Sequence, residues 1–286
     1  MNTTGIFTIH QKEIVFDEYN EPYYLLPLGD IHRFASLCDE ERYLEYLEWA
    51  KTKKRKLILG MGDYDDLASG SERMILHNKN LHDQSIETLD KFYKSQADKF
   101  IEEWRPFEAD ILGLVESNHY AELMSGFTTT QYMASELNCK YLGVSSFIRL
   151  SFRQKNRQSC SKVDVWVHHG KGASRKVGGS LNRVEDMAMM ADADIYLMGH
   201  DHKKSAAFIT QMKLNDGSGA FKLVQKKKLL ARTGSFLRGY VPDKKSYVAD
   251  ACMNPSDLGT VKIELTPRRV YKGKLDSQHI DIHVSI

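Results

Sequence analysis

Tyr23-Tyr24-Leu25-Leu26-Pro27-Leu28-Gly29-Asp30-Ile31-His32 is the stretch from which the rest of the chain is read. A short apolar run of strand length ends at a glycine, and an aspartate and a histidine follow two residues apart. The same grammar recurs four times. Leu57-Ile58-Leu59-Gly60-Met61 precedes Gly62-Asp63-Tyr64-Asp65-Asp66, and Asp110-Ile111-Leu112-Gly113-Leu114-Val115 precedes Ser117-Asn118-His119. Val163-Asp164-Val165-Trp166-Val167 precedes His168-His169-Gly170, and Ile195-Tyr196-Leu197-Met198 precedes Gly199-His200-Asp201-His202.

Between these runs the apolar spacing is helical. Glu40 to Lys54, Gln84 to Trp104 and Leu181 to Ala191 each fit that period. Strands alternating with helices predict an α/β architecture. After His202 the pattern turns β-rich, with strands expected at Ala206–Ile209, Phe221–Gln225, Lys228–Arg232, Val261–Leu265 and Ile280–Val284. With no linker, repeat or low-complexity segment, residues 1–286 read as a single domain. Residues 67–105 read as a helical insertion, a packed excursion more readily than a lid, and 205–286 as a β-rich second layer.

Composition narrows the class. The chain has 286 residues, 10% aromatic, and 40 basic against 38 acidic side chains, which excludes a disordered chain and binding through bulk positive charge. Cys38, Cys139, Cys160 and Cys252 form no C-x-x-C pair, so zinc fingers are excluded and free, mostly buried thiols are expected. No secretory signal and no apolar run of about 18 residues appears, so the expectation is a cytoplasmic chain with no membrane partner.

The five polar clusters hold six of the eleven histidines. In an α/β sheet the crevice beyond the carboxyl ends of the strands is the binding place, so five such ends predict one site. Carboxylates and imidazoles together suit manganese, iron, zinc or nickel. In D-x-H and H-x-H on an extended end, side chains two residues apart point the same way and grip one ion together. The donors outnumber the needs of a single ion, and a pair about 3.5–4 Å apart uses them better. An isolated histidine is more often a core residue satisfied by a hydrogen bond, whereas the ordered set of five is strong evidence for a site.

The order D-x-H, G-D-x-x-D, N-H, H and G-H-x-H resembles the calcineurin-like metallophosphoesterases across Leu25 to His202. The resemblance implies a four-layer αββα sandwich with a helical insertion after the second motif strand. It implies a dinuclear metal-dependent hydrolase of phosphate esters, a phosphodiesterase or nuclease working through a hydroxide that bridges two divalent ions, manganese first. Asp30, His32 and His202 would hold one ion, Asn118, His168 and His200 the other, and Asp63 would bridge them. His119 would be the acid at the leaving oxygen, with Asp66 orienting it. The family histidine directly follows its strand, which selects His168 as ligand and leaves His169 to face the phosphate.

Three further features are read from the chain. Lys171, Arg175 and Lys176 lie in a glycine-rich loop beside the fourth cluster, so Lys171 and Arg175 are expected to contact a phosphate, a nucleotide or nucleic acid. Lys226-Lys227-Lys228 is expected to mark a solvated turn between strands. The family's Gly-Asn-His-acid is here Ser117-Asn118-His119-Tyr120, which removes one acid beside His119. A phosphomonoesterase or protein phosphatase on the same fold, and a catalytically silent metal-binding scaffold, are the alternatives. A zinc hydrolase of carbon esters or amides would not need this ligand order.

Overall fold

The computed structural model describes residues 9–67, 73, 82–172, 174–214, 222–272 and 275–286. The strands are β1 (Ile9–Phe16), β2 (Tyr23–Leu28), β3 (Lys56–Gly60), β4 (Ile111–Leu114), β5 (Lys140–Tyr141), β6 (Ser145–Gln154), β7 (Cys160–His168) and β8 (Ile195–Met198). They continue with β9 (Lys204–Leu214), β10 (Leu223–Ser235), β11 (Gly259–Thr260), β12 (Lys262–Lys272) and β13 (Leu275–Ser285). The α-helices are α1 (Glu40–Lys51), α2 (Asp83–Trp104), α3 (Thr129–Glu136), α4 (Val177–Met190) and the single turn α5 (Tyr247–Asp250). None of these helices is long and apolar enough to cross a membrane.

The strands form two sheets. One runs β1-β6-β7-β8-β10-β11, with β9 also paired to β10, and the other runs β13-β12-β2-β3-β4-β5. Side-chain alternation explains how they stack. Leu57 and Leu59 of β3 share a core with Val163, Val165 and Val167 of β7 and Ile195 and Leu197 of β8, so this core lies between the sheets. The opposite faces carry helices. Ile58 packs with Tyr43 and Leu47 of α1 and Phe100 and Trp104 of α2. Trp166 and Tyr196 pack with Val184 and Met187 of α4. The fold is therefore mixed α/β, two face-packed sheets with helices outside.

Strand β2 is buried on both faces because Leu25 enters one core while Leu26 and Leu28 enter the other. This explains its unbroken apolar run. Helix α2 is held by Ala97, Phe100, Ile101 and Trp104, and each large apolar side chain so buried contributes about 1.5–3 kcal/mol. Residues 68–72 and 74–81 of the expected insertion lie outside the described residues.

Three expectations are corrected. The β-rich remainder is not a layer of its own, because β9, β10 and β11 join one sheet while β12 and β13 join the other. Phe221 lies outside the described residues, and from Leu223 the two expected strands to Gln225 and at Lys228–Arg232 are one, β10, which continues through Lys226-Lys227-Lys228 in place of a turn. Lys228 is 2% exposed there, and its Nζ bonds Asp192 Oδ1 at 2.5 Å and Tyr196 OH at 3.3 Å, which compensates its burial. The cysteines are free, but Cys160 and Cys252 are exposed while Cys38 and Cys139 are half-buried.

Candidate metal centre

Strands β2, β3 and β4 are mutually parallel, as are β7 and β8. Their carboxyl ends release the five polar clusters along the seam between the sheets. The loops after β2 and β3 are stitched together, with Asp30 N–H donating to Gly62 O at 2.9 Å and Ile31 N–H to Asp63 O at 2.8 Å. Asp30, His32, Asp63, His200 and His202 all take left-handed backbone, with φ of 47°, 48°, 48°, 75° and 57°. Gly62, at φ 94°, allows a close approach, since a Cβ there would sit 2.6 Å from His169 Nδ1.

The side chains converge in overlapping groups. Asp30, His32, Asp63 and His202 place one donor atom each within 4.8 Å of one another, and so do Asp63, His169 and His200. Within the first group, His32 Nε2 lies 3.2 Å from His202 Nε2 and 3.7 Å from Asp63 Oδ2, and His202 Nε2 lies 3.5 Å from Asp30 Oδ1. Within the second, His169 Nε2 lies 3.4 Å from Asp63 Oδ2 and 3.0 Å from Asn118 Oδ1. His200 Nδ1 is also 3.0 Å from Asn118 Oδ1. Asp63 belongs to both groups.

The order of the histidine pair is the reverse of the expected one. His169, not His168, enters the cluster. Val163, Val165 and Val167 point between the sheets, and His169 shares their parity. His168 shares the parity of Trp166, which faces α4, and its Nδ1 accepts the Gly170 N–H at 2.7 Å. The His169 ring is fixed because Nδ1–H donates to Met61 O at 2.8 Å, turning Nε2 to Asp63 and Asn118. Arg175 is not brought in either, since its guanidinium donates to Ala251 O at 3.2 Å. Lys171 is exposed two residues beyond His169.

Burial and charge act together here. Burial pushes the Asp30 carboxyl up to about 7 against the pull of His169. Burial also opposes ionisation of Asp63, but His169 and His32 outweigh it and hold that carboxyl below the ordinary range. Burial would lower His169, yet Asp63 and Asp30 reverse the sign and raise it to about 9. Burial and the neighbouring His32 push His202 down to about 3, and burial with His169 lowers His200. Burial tends to lower His119, but the Asp66 carboxylate, 3.1 Å from its Nδ1, and the charge of Asp63 raise it overall. The Asp66 carboxyl is lowered by His119 and His32. Asp65, buried beside Asp63, is pushed up to about 8.

These residues fit a divalent cation. Asp63 Oδ1 is buried with no hydrogen-bond partner, and buried polar atoms rarely go unmatched. His32 Nε2 and His202 Nε2 lie 3.2 Å apart, close enough for both to hold one cation beside the carboxylates. Asp30 and Asp63 supply oxygen donors and the histidines nitrogen donors, a set suited to manganese, iron or zinc. Buried histidine and aspartate groups that could hold metal ions are thus present.

The first and third loops are braced by residues that spacing alone did not single out. Arg33 donates from Nε and Nη2 to Glu103 at 3.0 Å and 2.8 Å and from Nη2 to Glu40 at 2.8 Å, pinning the first loop to α1 and α2. Glu116 accepts from Thr128 and Thr130 hydroxyls at 2.6 Å each and from Tyr141 OH at 3.2 Å, pinning the third. Glu116, an acid at the end of an apolar run, was the one such signal visible in the sequence. Arg73 Nη1 donates to the carbonyls of Asn118 at 2.9 Å and Tyr120 at 2.7 Å, and its guanidinium lies 3.8 Å over the Tyr120 ring. No protein-family model and no curated protein matches this chain.

Proposed function

We propose that the chain is a dinuclear metal-dependent hydrolase of phosphate esters, with the four-layer fold of the calcineurin-like metallophosphoesterases. The observation that carries this reading is the membership of Asp63 in two donor groups at once. Asp30, His32 and His202 would hold one ion with Asp63, and His169, His200 and Asn118 a second. Two divalent ions supply, when bound, positive charge against the phosphoryl oxygens and a water whose pKa is lowered towards neutrality.

The chain's own residues do the rest. Asp30 and Asp63 fix the donor geometry from almost fully enclosed positions. His119 directs Nδ1 at Asp66 Oδ1, 3.1 Å away, so Nε2 is the nitrogen that gives its proton to the leaving oxygen. Asp66 sustains that imidazolium, and its lowered carboxyl keeps it charged while it does so. Asp66 lies 3.1 Å from His119 Nδ1 although the acid after His119 is absent, so Tyr120 does not by itself argue for a silent scaffold. Of the loop cations expected to favour a diester or nucleic-acid substrate, Lys171 stays exposed beside the site while Arg175 is tied to Ala251.

Elemental analysis of the purified protein and turnover of aryl phosphate mono- and diesters with manganese test the reading. About two ions per chain and manganese-dependent hydrolysis are expected. Less than about one ion per chain with no turnover rejects it in favour of a scaffold. Turnover of the monoester alone rejects the diester preference.

A further inference from the structure

Arg232 is 1% exposed on β10, and the chemistry above makes no use of it. Its Nη1 donates to Gly199 O at 2.7 Å and its Nε to Ser180 O at 3.0 Å. Nε also lies 3.7 Å from Asp201 Oδ2, and that same oxygen accepts the Ser180 hydroxyl. Asp201 Oδ1 accepts Lys203 N–H at 3.2 Å. Asp201, between His200 and His202, therefore turns away from the cluster and anchors its loop to α4 and β10.

The decisive unit is a single peptide. Gly199 C=O and His200 N–H belong to one trans amide, whose two polar ends point in opposite directions. One end receives the Arg232 guanidinium, and the other donates to both Asp30 oxygens at 2.9 Å and 3.0 Å. A cation and a carboxylate thus hold the two ends of one amide dipole in line. Gly199 is required at this point, because a Cβ there would meet Asp30 Oδ2 at 2.6 Å.

We infer that Arg232 is the positioning residue of this site, aiming the Gly199–His200 peptide at Asp30 and thereby seating Asp30, His200 and His202 together. Hydrogen bonds to charged groups are stronger than neutral ones, and the guanidinium fork satisfies two carbonyls at once. Lysine keeps the charge but cannot span both acceptors. The consequence for metal binding rests on the phosphoesterase reading, whereas the aim of the peptide does not.

The test is Arg232→Lys, with Arg232→Met/Asp201→Asn as a second variant that removes both buried charges together in case the first does not fold. Amide hydrogen exchange is measured in metal-free protein, and manganese binding by titration. The His200 amide should exchange about tenfold faster in the variant while the Val165 and Leu229 amides keep their protection. Manganese affinity should fall about 10- to 100-fold. An unchanged His200 amide, or loss of protection spread equally over β7, β8 and β10, overturns the inference. If the unsubstituted protein binds no manganese, the phosphoesterase reading fails, and His200 exchange still decides the role of Arg232.

Discussion

The carboxylate of Asp66 lies 3.1 Å from Nδ1 of His119, and the same oxygen lies 3.4 Å from Nδ1 of His32. One acid thereby orients a proposed metal ligand and the proposed proton donor. His119→Ala should retain metal yet lose turnover by roughly 10²–10⁴. Asp66→Asn should lose about 10- to 100-fold by releasing both rings. Steady-state rates beside metal content check both, and loss of metal in His119→Ala would mean that His119 is itself a ligand.

The adjacent histidines separate cleanly by substitution. His169→Ala should strip metal and activity together, because its Nε2 faces Asp63 and Asn118. His168→Ala should keep metal content near that of the unsubstituted protein. Asp63→Ala should lose both ions, since Asp63 serves both groups. Elemental analysis of the three variants decides, and full occupancy in Asp63→Ala would end the bridging assignment.

Lys228 and Asp192 form an asymmetric pair, one side chain 2% and the other 53% exposed. Asp192→Ala leaves a buried ammonium with only Tyr196 OH and should cost about 2 kcal/mol. Lys228→Met leaves a carboxylate that water can solvate and should cost less. Urea unfolding of both variants gives the order, and a larger loss in Lys228→Met would contradict it.

Asp39 caps α1 by accepting Arg42 N–H at 3.3 Å and is bonded by Arg238 Nη2 at 2.7 Å. The Arg238 hydrogen bond is the main reason its carboxyl lies below the usual range. A depressed carboxyl stabilises the fold above its unfolded value near 3.9, and that contribution is lost as pH falls through the folded value. Arg238→Ala should therefore lose about 0.5 kcal/mol at pH 7, a small figure because Arg238 is partly exposed, and the deficit should vanish in acid. Unfolding at pH 7 and at about pH 3 measures it, and an equal deficit at both would remove the ionic explanation.

The apolar runs at Leu25, Leu57, Leu112, Val165 and Leu197 were legible because each strand is walled by core on both sides, with Asp164 the one polar residue that interrupts them. The strands β1 and β6 were not, since Gln11, Lys12 and Glu13 on β1 face water at an edge. Lys226 to Lys228 read as a turn because the partners that make a buried lysine tolerable, Asp192 and Tyr196, lie more than thirty residues away. The wrong choice between His168 and His169 was a matter of parity. Counting from the inward valines, rather than from the end of the strand, selects His169. Arg232 was invisible, because its role exists only where Gly199 comes within reach.

The left-handed backbone at Asp30, His32, Asp63, His200 and His202 has a consequence beyond geometry. Each such residue with a side chain carries roughly 1 kcal/mol of torsional strain that glycine would relieve. Folding alone would therefore favour glycine at five points along one seam. On the proposed reading, the carboxylates and imidazoles kept there are held for the ions they would bind. The backbone at these five positions would then set the donors in advance, at a cost to folding that glycine would avoid.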